Sequence, residues 1–362
     1  MSFFSPQFTA CGLDLYDGVF KLVAMDKKRK GANVKSWHLK KIPEGLMTNG
    51  EIQDEKTLAL EIKKLISEAH GKITTSFVAT ALPENKTFVK VLNLKKEKEK
   101  LTAVEVRKII DAELPNYIPL MPEEMNYDFQ IISEDKNYLN VLVAAVPKEV
   151  MKKYLQTLEL AGLKVAALET EAQAITRAVL PQATLLKNKQ NLPQYKEPLM
   201  LVDLGLLKSS LIIWNKNILQ GTVSLNIFGK QIIDEIAAKL KITPEKAAQA
   251  VNICGLDPKK GKGEIYKIIN NFFEELVLEI KKNKNYFTQE ETKTEYNIIL
   301  TGELSTLLLL KEYLADKLKT RVFLGNPLIN LDAQPPEVFR RNVGAFTNAI
   351  GLALHYLVNE EI

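Results

Sequence analysis

Two aspartates in matching surroundings are the residues of this sequence whose placement first suggests chemistry. Asp14 lies in CGLDLYDGVFKLVAMD (11–26), and Asp203 lies in LMLVDLGLLKSSLIIW (199–214). Each stretch predicts a strand that carries one acid, then a turn with a glycine, then a second strand. Two facing hairpins of this kind would offer backbone N–H groups to phosphates, and the two carboxylates would hold hydrated Mg²⁺ and orient a water for attack. The alternative is that each aspartate only accepts hydrogen bonds from a neighbouring turn.

The composition argues against several other classes of site and partner. Because the chain has 362 residues, of which 46% are hydrophobic, we expect two domains or one large composite domain. The net charge of +5 is small and spread along the chain, which gives no reason to expect a nucleic-acid partner. The two cysteines and three histidines predict neither a disulfide framework nor a zinc site. The start, MSFFSPQFTA, lacks the pattern of a secretory signal, and the most apolar window is too short to span a bilayer, so we expect a cytoplasmic protein.

Predicted strands and helices alternate along most of the chain. Helices are predicted at 57–70, 102–114 and 148–162, and strands at 76–83, 87–94, 125–135, 138–147 and 163–169. The segment from about 75 to 167 thus interleaves strands and helices, in a β-α-β-β-α-β order from the strand at 87–94 onward, which is enough for a small α+β module. The stretch 181–198 contains three prolines and predicts a linker. Asp14 and Asp203 would then open the two halves of a duplicated architecture.

The sequence resembles the type IV pilus assembly protein PilM family, which is related to the cell-division protein FtsA. The resemblance covers nearly the whole chain. The stretches that carry it most specifically are AELPNYIPLMPEEMNYDFQII (112–132), the run from 141 to 178, the run from 299 to 328, and AFTNAIGLALHYL (345–357). The resemblance implies an α/β fold, namely the duplicated actin-like (ribonuclease H-like) ATPase fold with an inserted small α+β subdomain.

Four subdomains follow from this resemblance. The implied boundaries are 1–74 plus 166–190 for the first actin-like subdomain, 75–165 for the inserted one, 191–225 plus 299–362 for the second actin-like subdomain, and 226–298 for a mostly helical subdomain over the nucleotide cleft. The cofactor that the resemblance implies is magnesium-ATP, with Asp14 and Asp203 reaching the metal through the nucleotide. The implied nucleotide-binding residues are Asp14, Lys21, Asp203, Gly205, Ser209 and Gly302, and the implied catalytic positions, as vestiges, are Asp14, Glu171 and Asp203.

Both phosphate turns depart from the family pattern. In the first, Tyr16 replaces a glycine that allows close approach, and Asp17 adds a negative charge where a polyphosphate would lie. In the second, Leu206, Leu207 and Lys208 occupy the turn. Lys208 is a candidate for a phosphate contact, but we interpret it as a solvated loop lysine. These departures predict a degenerate nucleotide site, and hence a pseudo-ATPase.

The adenosine side is altered as well. The family's glutamate and lysine on the ribose-binding helix correspond to Ala248 and Val251, and in the late glycine-rich loop Gly302 is the glycine that remains. For Glu171, electrostatic stabilisation of a helix N-terminus is an alternative to a role in the cleft.

The resemblance implies a scaffold at the inner face of the cell membrane. It would bind the N-terminal peptide of a PilN-like membrane protein in a groove beside the inserted subdomain, which Tyr117, Ile118 and Pro119 line unless they pack the subdomain's core. A pilus motor ATPase or platform protein and a homodimer are further predicted contacts. Two alternatives stay open: an ATP-binding protein whose nucleotide state regulates partner binding or polymerisation, and an FtsA-like factor. The short acidic ending, HYLVNEEI (355–362), argues against the membrane-binding tail of the latter.

Overall fold

The computed structural model describes residues 10–96, 98, 100–118, 120–186, 195, 198–215, 217–287 and 296–358. Three sequence predictions therefore fall partly or wholly outside the described residues: Pro119 of the predicted peptide groove, most of the linker predicted at 181–198, and the last four residues of the acidic ending. Within the described part of the chain, no helix is both long enough and apolar enough to cross a membrane.

The described residues form fifteen strands and ten α-helices. The strands are β1 (Cys11–Tyr16), β2 (Val19–Lys28), β3 (Gly31–Lys41), β4 (Met47–Thr48), β5 (Glu51–Ile52), β6 (Phe77–Leu82), β7 (Phe88–Lys95), β8 (Met125–Glu134), β9 (Tyr138–Pro147), β10 (Lys164–Thr170), β11 (Leu199–Leu204), β12 (Ser209–Asn215), β13 (Ile218–Leu225), β14 (Asn297–Thr301) and β15 (Arg321–Leu324). The helices are α1 (Glu55–Ser67), α2 (Ala103–Glu113), α3 (Lys148–Leu160), α4 (Glu171–Val179), α5 (Gly229–Leu240), α6 (Pro244–Cys254), α7 (Glu264–Phe287), α8 (Leu310–Leu318), α9 (Glu337–Arg341) and α10 (Thr347–Val358).

Two sheets repeat one topology, as the matching hairpins predict. The first sheet has the order β10-β6-β1-β2-β3, and the first five strands of the second sheet have the order β15-β14-β11-β12-β13. In each, the hairpin strands are antiparallel and the strands on the other side are parallel. Asp14 pairs with Lys21 across the first hairpin, and Asp203 pairs with Ser210 across the second. The duplication is therefore present at the level of individual strands.

The strands between the two halves extend the second sheet rather than the first. β7, β9 and β8 follow β13 in the sheet order, and the bridge between β13 and β7 joins Gly221 to Lys90. β6 and β10, which flank this segment in the chain, both belong to the first sheet. The region from β6 to β10 therefore contributes strands to both sheets. The subdomain boundaries that the resemblance implies stay a prediction.

Local signals in the sequence account for several element ends. Gly18 has φ +77° in the turn between β1 and β2, which a side chain with a β-carbon rarely adopts. The side chain of Asp54 accepts a hydrogen bond from the Thr57 N–H and caps α1. Thr102, the first residue of the helix predicted at 102–114, is the N-cap of α2 and forms a capping box with Glu105.

The C-terminal helix α10 joins the two halves of the molecule. It packs on α4, β1 and β2 of the first half, and the Thr347 hydroxyl at its start lies 3.2 Å from the Thr301 hydroxyl at the end of β14 in the second half. Backbones approach so closely here that a β-carbon on Gly351 would lie 1.7 Å from the Ala174 carbonyl oxygen. The helix therefore holds the first hairpin close to the second half, where the candidate site lies.

Candidate functional site

A cavity of about 230 Å³ lies between the two halves, bordered by the turns that follow β1 and β11. The predicted site residues that line this cleft cavity are Asp14, Lys21, Glu171, Asp203 and Gly205. Ser209 and Gly302 are not among its lining residues. The Ser209 hydroxyl oxygen instead accepts a hydrogen bond from the Gly205 N–H at 3.3 Å, within the second hairpin.

Asp14 is held by groups of this chain from both halves. Its carboxylate lies 3.4 Å from the Lys21 ammonium and accepts a hydrogen bond from the Asn348 side-chain amide at 2.8 Å. Burial acts to raise the pKa of Asp14, but Lys21, Lys208 and the Asn348 amide outweigh it and hold that pKa below its usual value. Asp14 is therefore ionised and internally paired.

Lys208 reaches across the cleft cavity to the first half. Its ammonium lies 2.5 Å from the Glu171 carboxylate and 4.1 Å from the centre of the Tyr16 ring. Burial acts to lower the pKa of Lys208, but the charges of Glu171 and Asp14 outweigh it and raise that pKa. The interpretation of Lys208 as a solvated loop lysine is wrong, because an acid of α4 and a ring of β1 draw it inward.

Glu303, in the loop after β14, contacts the turn between β11 and β12. One of its oxygens accepts a hydrogen bond from the Leu206 N–H at 3.2 Å, and the other lies 3.7 Å from the Lys21 ammonium. Burial acts to lower the pKa of Lys21, but Asp14 and Glu303 together raise it. The sequence does not predict this contact, because a glutamate in a loop gives no sign of which distant residue it reaches.

Asp203 is the carboxylate of the cleft cavity that has no such partner. Among the described residues, no hydrogen bond or ion pair reaches its oxygens. Burial and the nearby charge of Glu303 raise the pKa of Asp203 to about 7. Asp14 and Asp203, the two aspartates predicted to hold Mg²⁺, therefore differ in charge near neutral pH, although they lie in matching hairpins.

Asp17 does not face the space that a polyphosphate would fill. Its carboxylate accepts hydrogen bonds from the backbone N–H groups of Asn49 and Gly50, the latter at 2.9 Å. These residues form the turn between β4 and β5. The prediction of a repulsive charge at the phosphate position is therefore wrong for Asp17, which fixes the first hairpin to its neighbour.

The charges of the cleft cavity balance one another to a large extent. Two of the three lysines that line the cavity pair with three carboxylates of this chain: Lys21 pairs with Asp14 and Glu303, and Lys208 pairs with Glu171. The third, Lys41, is exposed. Over the residues that the structure describes, no group of three or more His, Cys, Asp or Glu side chains is arranged to hold a metal ion. Most charged side chains of the cavity are therefore paired with one another. Asp203 is the unpaired acid, and its pKa of about 7 lets it exchange a proton near neutral pH.

A second, larger cavity of about 510 Å³ runs beside β8. We call it the β8 groove; β8 and β9 form one wall, and β10, α4 and α10 form the other. β8 is at the edge of the second sheet as the structure describes it, so one side of its backbone has no neighbouring strand. The groove therefore combines a strand edge with a concave surface.

Side chains alternate along the wall that β8 and β9 form. Asn126, Asp128 and Gln130 line the groove as an exposed polar row, since the residues between them pack on the core beneath α2. Leu142, Ala144 and Val146 of β9 provide its apolar base. This pattern offers both hydrogen-bonding groups and apolar contact to an extended chain.

An ion-paired cluster lies at the floor of the β8 groove. The Glu169 carboxylate, which is buried, lies 2.8 Å from the Arg177 guanidinium and also contacts the His355 ring. Burial acts to raise the pKa of Glu169, but Arg177 and His355 outweigh it and lower that pKa. The floor is thus a fixed, charged surface that joins β10, α4 and α10.

The family model for the type IV pilus assembly protein PilM matches residues 12–357. The chain belongs to the PilM family. The match includes both hairpins, the strands that extend the second sheet and most of α10. The recognition drawn from the sequence is thereby confirmed.

Solved structures with the same fold include proteins of several systems. The chain from a PilM-PilN type IV pilus biogenesis complex is 22% identical, with a TM-score of 0.78 and coverage of 97% of this chain and 99% of that one. The ethanolamine utilization protein EutJ from Carboxydothermus hydrogenoformans is 14% identical, with a TM-score of 0.53 over 95% and 89%. MreB 5 of Spiroplasma citri, bound to AMPPNP, is 11% identical, with a TM-score of 0.50 over 98% and 98%. These likenesses confirm the actin-like fold.

Two positions at which the PilM resemblance implies adenosine contacts have structural roles here. Val251 is buried in the core of the second half, among residues of α5 and α7. Gly302 has φ +84°, and a β-carbon there would lie 2.5 Å from the Leu204 carbonyl oxygen. The fold itself thus requires Gly302, whether or not a ligand approaches it.

The residues predicted to line a peptide groove lie apart from the β8 groove. Ile118 packs against the core beneath α2, and Tyr117 is exposed, with its ring 4.9 Å from the Lys90 ammonium. Neither lines the β8 groove. Their role in binding a partner of a PilM protein stays a prediction.

Proposed function

We propose that this protein is a type IV pilus assembly scaffold that binds the N-terminal peptide of a PilN-like membrane protein in the β8 groove. The observation that carries the proposal is the position of β8 at a sheet edge beside a concave, partly apolar surface. An extended peptide adds to such an edge through main-chain hydrogen bonds, while alternate side chains enter pockets. The PilM-PilN complex among the solved structures supports this choice of partner.

The dimensions and chemistry of the β8 groove support a peptide ligand. Its volume of about 510 Å³ lies within the range of roughly 300–1,000 Å³ that is usual for ligand sites. The polar row on β8 would meet the peptide's polar groups, and the base that Leu142, Ala144 and Val146 form would receive its apolar side chains. A segment of about four residues would extend roughly 13 Å along the strand edge.

A bulky charge at the base of the β8 groove should weaken this binding. We expect Ala144→Arg to weaken binding of the partner's N-terminal peptide at least about tenfold, because the longer side chain fills the space that the peptide needs. Calorimetric titration of the purified protein with the synthetic peptide measures the effect. Ile253→Arg, at a position that is 63% exposed on α6, is the matched control and should bind as the wild type does. A folded Ala144→Arg protein with unchanged affinity would contradict the proposal.

We also propose that the cleft cavity does not bind magnesium-ATP. Its volume of about 230 Å³ is below the usual range for ligand sites, and Glu303 already accepts the Leu206 N–H that a phosphate would need. Tyr16 and Lys208 occupy the turns, and Lys208 is paired with Glu171. These residues do not fit a triphosphate, so we derive no hydrolytic step for the protein.

Titration with magnesium-ATP tests this second proposal. We expect no saturable heat up to millimolar ATP, either for the protein alone or for its complex with the partner's peptide. The reason is that a triphosphate would first have to break the internal ion pairs of Lys21 and Lys208. Micromolar binding of ATP would overturn the proposal and favour the alternative in which nucleotide state regulates partners. The peptide arm controls for inactive protein.

The proposed partner also determines the proposed location. A scaffold that binds the N-terminal peptide of an inner-membrane protein would act at the cytoplasmic face of that membrane. Contacts with a pilus motor ATPase or platform protein, a homodimer, and the four-part subdomain division stay predictions of the resemblance.

A further inference from the structure

A run of basic residues lies at the end of the hairpin that β2 and β3 form at the edge of the first sheet. The run is KKRK (27–30), where β2 ends and the turn to β3 begins. β1 starts at Cys11, which pairs with Ala24, so β2 continues past the start of β1 by about four residues, or roughly 13 Å. Among the described residues, β3 is the strand that pairs with this part of β2. We call residues 26–35 the basic arm.

The base of the basic arm is held to the rest of the molecule. Met25 and Ala32 are buried in a hydrophobic cluster that also contains Leu331. The Ala32 N–H donates a hydrogen bond to the Asn330 carbonyl oxygen at 2.9 Å, and the Ala32 carbonyl oxygen accepts one from the Asp332 N–H at 2.8 Å. These contacts fix the position from which the charged side chains at the end of the arm extend.

The charged side chains of the basic arm are mostly of one sign. The basic ones that are exposed are Lys28, Arg29, Lys30 and Lys35. Asp26 is the one acid in the arm, and its carboxylate lies 2.9 Å from the Lys28 ammonium and 3.4 Å from that of Lys35. Four exposed basic side chains therefore share one carboxylate.

Neighbouring acids do not neutralise the turn of the basic arm. Within the described ranges, the side chains of Arg29 and Lys30 take part in no ion pair, since the pairs of Asp26 go to other residues. Asp332 is bound to the base of the arm through its backbone, but its carboxylate forms no ion pair with them. Like charges this close repel one another in the folded protein, and an anionic surface would relieve that repulsion.

The composition of the basic arm favours a membrane surface over a nucleic acid. Its sequence, DKKRKGANVK (26–35), has no aromatic residue on which a base could stack. The net charge of the whole chain, +5, is small for a protein that follows a nucleic-acid backbone. Anionic lipid headgroups require no defined pocket, and clusters of roughly four to eight basic side chains are enough to attract them.

We propose that the basic arm binds the anionic headgroups of a lipid surface through Lys28, Arg29, Lys30 and Lys35. The arm adjoins β3, which lies at the edge of the first sheet opposite β10, and β10 contributes to the wall of the β8 groove. The lipid contact is thus separate from the proposed peptide site. The proposal does not depend on peptide binding.

Co-sedimentation of the full chain with lipid vesicles tests the proposal. At low salt we expect half of the protein to bind at about 1 mM accessible lipid when phosphatidylglycerol and phosphatidylcholine are mixed in roughly equal parts. We expect no binding to phosphatidylcholine alone. The double variant Arg29→Gln, Lys30→Gln should weaken vesicle binding at least about tenfold, because two exposed cations are removed. The matched control Lys259→Gln, Lys262→Gln removes two exposed lysines from the loop before α7 and should bind as the wild type does.

Salt, DNA and peptide probes complete the test. Raising the salt to about 0.5 M should release the protein from the vesicles, because the screening length falls to a few ångströms. Both double variants should bind the partner's N-terminal peptide as the wild type does, which separates a failure of this proposal from a failure of the proposed function. Equal vesicle binding by the wild type and by the folded Arg29→Gln, Lys30→Gln protein would overturn the proposal. Tighter binding of a DNA duplex than of vesicles, with the same dependence on Arg29 and Lys30, would overturn it as well.

Discussion

At pH 8 the Glu84→Gln protein should be more stable than the wild type by up to about 3 kcal/mol, whereas at pH 4 the two should be equally stable. Burial and the charges of Glu171 and Asp203 raise the pKa of Glu84 from an ordinary 4.5 to about 7 in the folded state. The folded protein therefore binds this proton more tightly than the unfolded chain does. The resulting stability is complete below about pH 4.5 and is lost as the pH rises to about 7.

The size of the effect follows from the two pKa values. A difference of about 2.5 units, from 4.5 to about 7, corresponds to roughly 3 kcal/mol at about 1.4 kcal/mol per unit. Glutamine has the shape of the protonated acid and no charge, so it avoids this loss. Lys208 and Lys90 are the cations near Glu84, and both are engaged elsewhere.

Urea unfolding of both proteins at pH 4, 6 and 8 measures the prediction. Asp203 also has a pKa of about 7, so the variant should keep part of the pH dependence of the wild type. Glu44→Gln should unfold as the wild type does at each pH. A constant difference between Glu84→Gln and the wild type over this pH range would mean that Glu84 does not titrate there.

Lys208→Met should lower the free energy of unfolding by about 3–5 kcal/mol at pH 8. The substitution removes the partner of Glu171, a carboxylate that is 3% exposed, and an uncompensated buried charge typically costs this much. It also removes the cation over the Tyr16 ring. Because the pKa of Glu171 is already raised by burial, the carboxylate would take up a proton more readily in the variant, and the loss should be smaller at pH 5.

A double variant separates the lost ion pair from lost packing. Lys208→Met with Glu171→Gln removes both charges, so it should recover much of the stability that the single variant loses at pH 8. Lys230→Met, at an exposed lysine that pairs with Asp234 on α5, is the matched control and should change stability by less than about 1 kcal/mol. If the double variant were no more stable than Lys208→Met alone, the pair across the cleft cavity would not stabilise the fold.

The two variants address opposite features of the region between the halves. The ion pair of Lys208 and Glu171 joins β12's hairpin turn to α4 and stabilises the closed arrangement. Glu84, a short distance along the chain from β6, has no such partner and lowers stability above neutral pH.

The sequence by itself determined the elements and their repetition. The pattern of an acid-bearing apolar strand, a glycine-containing turn and a second apolar strand predicted β1, β2, β11 and β12, and Gly18, which has a positive φ, lies in the first turn. These features depend on residues that are near one another in the chain, so the sequence records them directly. The same holds for the cap at Thr102, whose partner is three residues away.

Only the tertiary structure decided what the charged side chains contact. Glu303 reaches the Leu206 N–H across 97 positions of the chain, and Asn348 reaches Asp14 across 334. Lys208, interpreted from the sequence as solvated, is turned inward by Glu171. Hydrophobic periodicity records which face of an element is buried, but not which distant residue comes to lie beside it, and the state of a charge depends on that neighbour.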